Sequence, residues 1–145
     1  MAAADRSLID AALDVILHPP EHAELTPATR EDVEIELRQM IELFAAPDPE
    51  PVVEALGPWL KDRRARPILV ETIGALGALE GLRWLAPLVG DASLEEDEAV
   101  RLACALGEIG GPEAESLLER MSASPQAEWP SVRREIDIAL GSIRS

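Results

Sequence analysis

A six-residue motif occurs three times in the second half of the chain. Its copies are residues 72–77 (TIGALG), 105–110 (ALGEIG) and 139–144 (ALGSIR). Their shared glycines, Gly74, Gly107 and Gly141, lie 33 and 34 residues apart. An amphipathic segment with apolar residues at helical spacing follows each of the first two copies. A fixed period of this length, with two helices in each unit, indicates a repeat protein of stacked helix pairs.

The glycines of the motif have two predicted roles. Gly74, Gly107 and Gly141 lie near the ends of the first helices, where a missing Cβ lets paired helices approach closely. Gly77 and Gly110 follow at the turn, where a positive φ closes the helix. Pro112 is expected to start the next helix, where its missing N–H costs nothing.

Composition agrees with an all-α fold. Apolar residues make up 47% of the 145 residues, with no Tyr and one Phe. Ala and Leu dominate, and these residues favour helices over strands. The predicted helices include residues 7–17, a helix after Thr26, and one capped by Asp48 that runs to about Asp62 with Trp59 inward.

The repeat continues through most of the chain. Residues 99–114 (AVRLACALGEIGGPEA) resemble a HEAT-like repeat, of the short bacterial subtype found in phycobilisome lyase subunits. The resemblance is specific over residues 65–144, weaker over 26–62 and absent from the first 25. It implies an all-α, short right-handed α-solenoid of antiparallel helix pairs whose second helices line a concave, partner-binding face. The resulting single domain divides into a capping helix and loop (1–25), a divergent unit (26–62), two HEAT-like units (65–91 and 96–123) and a last half unit (128–145).

The charge restricts the partner. The formal net charge is −15, which repels the phosphates of nucleic acids and the surface of anionic membranes. A basic protein surface is the natural complement, although the same charge also serves solubility alone. With no signal peptide and no apolar stretch of spanning length in the sequence, a cytoplasmic location is expected.

Opposite the core stripe of the second helices lies a mostly acidic strip. Its predicted partner contacts are Glu80, Arg83, Trp84, Glu113 and Glu119. Trp84 has two interpretations, since an exposed Trp anchors a partner whereas a folded-down Trp joins the core. On the same helices the apolar stripe assigns Leu79, Leu82, Leu85 and Val89 to the core of one unit, and Ala114, Leu117, Leu118 and Met121 to the next.

Enzyme motifs are lacking, so neither catalysis nor a cofactor is predicted. Cys104 lies in an apolar run and is expected to be a buried structural thiol. His18 and His22 flank two prolines in a loop, which disfavours a metal site. The basic cluster at residues 61–66 is explained by cations at the C-terminal end of a helix, and the four acids at 95–98 by the dipole at a helix N-terminus.

The leading hypothesis is a non-catalytic adaptor or regulatory module that binds a basic protein surface or helix. Two alternatives remain open: an accessory subunit of a bilin or tetrapyrrole lyase, suggested by the resemblance alone, and an acidic immunity-type inhibitor of a basic protein. The last helix either caps the stack or leaves a flank, including Ile138, for a partner or a second copy in a homodimer.

Overall fold

A computed structural model of the chain describes residues 48–63 and 65–145. The predictions for the first 47 residues, including the capping helix and the His18/His22 loop, lie outside these ranges. Within them all regular structure is helical, which confirms the all-α prediction. The helices are α1 (Pro49–Leu56), α2 (Arg66–Leu76), α3 (Glu80–Leu85), α4 (Glu96–Ile109), α5 (Gly111–Ser122) and α6 (Pro130–Arg144). Three short 3-10 segments, Gly57–Lys61, Ala86–Leu88 and Pro125–Glu128, interrupt the connections.

The helix predicted from Asp48 to about Asp62 is α only in its first half. The Asp48 carboxylate accepts a hydrogen bond from the Glu50 backbone N–H at 3.2 Å, so the predicted cap is confirmed. Gly57 and Pro58 then tighten the chain into the 3-10 segment, because Pro58 has no backbone N–H to continue the α-helical ladder. Trp59 packs against the core from this segment but is only half-buried.

Helix α4 is the central element of the described residues. It packs along α2 on one side and along α6 on the other, and α5 closes over α4 and α6. The apolar faces of all six helices join one continuous core. Its largest members include Leu56, Leu69, Leu82, Leu102, Leu118, Met121 and Ile136. The stripe predicted for the second unit is confirmed, since all four of its residues on α5 are buried.

Two of the three motif glycines lie directly against a neighbouring helix. A Cβ added to Gly74 in α2 would lie 2.6 Å from both Cα and Cβ of Ala105 in α4. A Cβ on Gly107 in α4 would lie 2.8 Å from Cβ of Ala139 in α6. A close helix approach is therefore confirmed at two interfaces, but it joins α2 to α4 and α4 to α6 and not the two helices of one predicted pair. The prediction is wrong at Gly141, where the added atom meets nothing within 4 Å.

The turn glycines also behave as predicted. Gly77 and Gly110 have φ values of 68° and 71° and end α2 and α4. Gly90 and Gly111 also have positive φ values, 81° and 88°, which the pattern did not indicate. Pro112 lies in the first turn of α5, as expected.

The first unit departs from the predicted stripe at Leu79. Leu79 precedes the first turn of α3, and its side chain is 64% exposed instead of buried. Helix α3 has only six residues because Pro87, two residues after its end, interrupts the hydrogen-bond ladder and leaves a 3-10 turn. The different pitch brings Leu88 into the core, and Val89 is only half-buried.

A nearly buried ion pair joins the starts of α2 and α4. The Arg66 Nε donates to a Glu98 carboxylate oxygen, with the two side chains 7% and 12% exposed. Its other nitrogens donate weakly to the Ser93 hydroxyl and carbonyl at 3.4 and 3.5 Å. The hydrogen bond to Glu98 raises the pKa of Arg66. The helix-end explanation of the basic cluster is wrong for Arg66, which begins a helix and faces inward.

The glycine contacts predict an ordered mutation series. Gly74→Ala and Gly107→Ala should each lower the free energy of unfolding by about 1–3 kcal/mol, because backbone or Ala atoms must move aside. Gly141→Ala is the matched control and should stabilise by up to about 1 kcal/mol through helix propensity. Urea unfolding followed by far-UV circular dichroism measures all three. Equal effects at the three positions would contradict the proposed close contacts.

Removing Arg66 should be costly. Arg66→Met leaves the Glu98 carboxylate nearly buried without its cation, so unfolding should become easier by about 3 kcal/mol. Arg101→Met tests the same chemistry at the surface, because the Arg101–Glu71 side chains are 35% and 40% exposed. That change should cost less than about 1 kcal/mol. A small loss for Arg66→Met in the same urea assay would show that the pair contributes little.

Candidate functional site

The predicted contact residues lie on two helices whose starts meet. Glu80, Arg83 and Trp84 belong to α3, and Glu113 and Glu119 belong to α5. The side chain of Leu79 reaches within 4.0 Å of the Cβ position of Gly111, at the turn that begins α5. The structure thus brings the Glu80 and Glu113 ends of these helices to the same edge of the molecule, with an exposed leucine between them.

Trp84 is half-buried and already covered. Its ring packs over Gly57, where an added Cβ would clash with the indole carbons. The Arg83 guanidinium lies over the Trp84 ring, 5.1 Å from its centroid, and reaches the Glu54 carboxylate at 3.5 Å. The indole Nε1 is buried without a hydrogen-bond partner. These contacts within the chain favour the packing interpretation of Trp84.

The acidic strip is partly neutralised by arginines. Arg144, near the end of α6, donates to Glu115 at 2.8 Å and to Glu119 at 2.9 Å. The hydrogen bond to Glu115 raises the pKa of Arg144. Glu80 and Glu113 form no ion pair with any described residue. The uncompensated charge of the strip is consequently concentrated at the helix starts rather than spread along both helices.

The acids at the start of α4 do more than complement the helix dipole. Glu98 holds Arg66, and Asp97 pairs with Arg101 at 3.2 Å. The Ser131 hydroxyl donates to Glu96 at 2.7 Å and ties the start of α6 to the start of α4. Three of the four carboxylates therefore form specific contacts, which a dipole explanation alone does not predict.

Cys104 is exposed, so the prediction of a buried thiol is wrong. It lies on α4 three residues before Gly107, at the margin of the α4–α6 contact, where it lines a shallow pocket with Glu108 and Ile138. Its Sγ donates to the Glu108 carboxylate at 3.5 Å. Partial desolvation is the main cause, and this hydrogen bond the second, of the rise in the pKa of the thiol to about 11. A thiol that stays protonated at neutral pH is a poor nucleophile.

The outer face of α6 is polar where the same face of α4 is apolar. On α4, Val100 and Ala103 lie seven and four positions before Gly107 and so share its helix face. Val100 is half-buried and Ala103 is fully buried. The residues 34 positions later are Arg134 and Asp137, and both are exposed. Only Ile138, 57% exposed, is a large apolar residue on this flank. This flank of α6 therefore offers little apolar surface to a second copy or another partner.

Gln126 is a buried polar residue that sequence reasoning missed. Its side chain is 3% exposed and joins two loops. The amide oxygen accepts from the Gly90 N–H at 2.8 Å, and the amide nitrogen donates to the carbonyls of Leu88 and Asp91 at 2.9 and 3.2 Å. The available local signal was the capped turn at Ser124, whose hydroxyl accepts from the Gln126 backbone N–H at 3.3 Å.

Neither a cluster of metal-ligating side chains nor a membrane-spanning helix is present in the described part of the chain. Residues 48–63 and 65–145 contain no group of three His, Cys, Asp or Glu side chains arranged to hold a metal ion. No helix in the same ranges has the length and apolar character needed to cross a bilayer. Both histidines, at positions 18 and 22, lie outside these ranges.

Comparison with models of known protein families gave no match, and neither did comparison with curated proteins or with solved structures. The HEAT-like resemblance therefore stands on the repeated motif alone.

The state of Cys104 predicts slow alkylation. At pH 8 a thiol of pKa about 11 holds roughly 100-fold less thiolate than an ordinary cysteine whose pKa is 9.0. The iodoacetamide rate should keep rising with pH up to about 11. Glu108→Gln should shift that rise to lower pH, because the neutral amide no longer favours the protonated thiol. A plateau reached below pH 9 in the wild-type chain would contradict the assignment.

Proposed function

We propose that this chain is a protein-binding module, an adaptor or regulatory protein that takes a basic surface or helix on the face formed by α3 and α5. The observation that carries the proposal is the exposed Leu79 between the starts of the two helices that bear Glu80 and Glu113. An apolar side chain flanked by carboxylates complements a basic amphipathic helix, whose apolar stripe and cationic flanks need both kinds of contact.

The helices behind this face form a connected support. The Gly74–Ala105 and Gly107–Ala139 contacts fix the spacing of α2, α4 and α6, and Arg144 ties α6 to α5. A surface held in one geometry loses little conformational entropy when a partner binds. In a HEAT-like solenoid the second helices line the concave side, so α3 and α5 would present this surface inward.

Electrostatics would mainly accelerate encounter and select the partner. The net charge of −15 attracts basic proteins over a distance limited by the Debye length, about 8 Å at physiological salt. The exposed Arg83 and Arg120 interrupt the acidic face and would repel cations placed opposite them. A bound helix would therefore set its cations toward Glu80 and Glu113 and its apolar stripe toward Leu79.

A charge reversal tests this surface. Glu80→Arg combined with Glu113→Arg should weaken binding of the native partner by at least about tenfold, because attraction becomes repulsion at two positions. The measurement is retention of partners from native lysate on the immobilised chain at low and high salt, with identification by mass spectrometry.

The matched control is Glu108→Arg with Asp137→Arg, two exposed acids away from α3 and α5 that change the net charge equally. We expect one dominant basic protein, retained by the wild type and the control and lost at high salt. If both double variants lose it equally, net charge alone attracts the partner and the α3–α5 face is wrong. A retained partner that is acidic would refute the proposed function.

A further inference from the structure

A pocket of about 400 Å³ opens between two interhelix loops, at the end of α4 opposite to the Gly110 turn. One loop precedes α4 and contributes Asp91 and Leu94. The other precedes α6 and contributes Glu128 and Trp129. Neither loop belongs to the predicted α3–α5 face, so this pocket is a separate feature of the surface.

The pocket is held in shape by Gln126. The Gln126 side-chain amide accepts a hydrogen bond from the Gly90 N–H and donates to the carbonyls of Leu88 and Asp91. These three hydrogen bonds hold the two loops together. A pocket formed before binding needs no ordering of its loops when a ligand enters. The amide nitrogen has both hydrogens engaged, so recognition of a ligand falls to the other lining residues.

The lining combines apolar surface with two carboxylates. Leu94, Pro125 and the half-buried ring of Trp129 supply the apolar walls. Asp91 and Glu128 supply the charges, and Glu128 is exposed without an ion pair among the described residues. This set suits a ligand with an apolar body and a cationic head, since aromatic faces attract cations and carboxylates pair with them.

Asp91 keeps its charge in this setting. The Ser93 backbone N–H donates a hydrogen bond to the Asp91 carboxylate at 2.8 Å. This bond and a second one from the Ser93 hydroxyl lower the pKa of Asp91. The nearby Arg66 is already committed to Glu98 and lies inside the α2–α4 contact. Arg63 also attracts Asp91, but no ion pair within 4.0 Å joins them.

We infer that this pocket binds an arginine side chain of the basic partner, with its guanidinium stacked on Trp129 and directed to Asp91 and Glu128. Arginine is favoured over lysine because its planar group stacks on an indole and bonds carboxylates in a fork. The inference rests on the proposed function in that it takes the partner to be basic, but it places a contact outside the α3–α5 face.

The test uses the full chain and defined peptides. The probe is a blocked hexapeptide of alternating glycine and arginine, compared with its citrulline, lysine and glutamate counterparts. The readout is the ¹⁵N–¹H spectrum of the three tryptophan indoles, assigned with Trp129→Phe. We expect the arginine peptide to shift the Trp129 signal, the lysine peptide to bind more weakly, and the uncharged citrulline and acidic peptides to leave the signal in place.

Isosteric variants then assign the charges. Asp91→Asn and Glu128→Gln remove one charge each without changing shape, and each should weaken arginine-peptide binding roughly tenfold. Glu135→Gln is the control, because it removes one negative charge from α6 outside the pocket. Because Glu128 is exposed, its variant should fold normally even if Asp91→Asn loosens the loop. Unchanged binding by Glu128→Gln, or a citrulline peptide that binds as well as arginine, would overturn the inference.

The outcomes separate the two proposals. If Glu80→Arg with Glu113→Arg releases the basic partner while Glu128→Gln and Asp91→Asn do not, the proposed function stands and the pocket inference fails. If the pocket variants weaken peptide binding while the α3–α5 reversal has no effect on the partner, the pocket stands and the α3–α5 face fails. If the arginine peptide shifts no tryptophan signal at millimolar concentration, the pocket inference is wrong whatever the partner.

Discussion

The close approach of α4 to its two neighbours determines much of the remaining geometry. With Gly74 against Ala105 and Gly107 against Ala139, the three helices lie at a spacing that side chains larger than alanine would widen. At this spacing the Arg66–Glu98 pair forms between the starts of α2 and α4, and Ser131 reaches Glu96. The turns at the other end then meet through Leu79 and Gly111. One small-residue contact, used twice, thus aligns both edges of the molecule.

The sequence predicts the features that depend on local chemistry and period. The Asp48 cap, the positive φ of Gly77 and Gly110, and the buried face of α5 all follow from residue type and spacing. Prediction from the sequence fails where burial depends on the residue at which a helix begins or on a contact with a residue far away in the chain. Leu79 is exposed because α3 begins one residue after it, and Cys104 is exposed because it lies at the margin of a helix contact. Gln126 is buried because its side chain bonds to carbonyls more than thirty residues away in the sequence. Helix boundaries and long-range partners are not contained in a local pattern.

For the candidate site the sequence located the acids but not their pairing. Glu119 is paired with Arg144, and the predicted contact Arg83 is paired with Glu54, so two members of the strip are already engaged within the chain. Composition gives a net charge, whereas the folded chain determines which charges remain available. The acids of the strip that pair with no described residue, Glu80 and Glu113, lie at the Gly110 end of α4, and the pocket carboxylates Asp91 and Glu128 lie at the other end of α4. This helix of 14 residues spans about 21 Å, so a partner that used both ends would need an extended basic surface.

The polar outer face of α6 has a consequence for which helices can pack against it. Gly141 leaves room for another helix to approach α6 closely, yet Arg134 and Asp137 lie on α6 where α4 has Val100 and Ala103. Two substitutions, to valine and alanine, would restore the surface on which α6 itself rests. A second helix with an alanine opposite Gly141 could then pack on α6 as α6 packs on α4, so two charges and not the backbone would keep other helices away from this face.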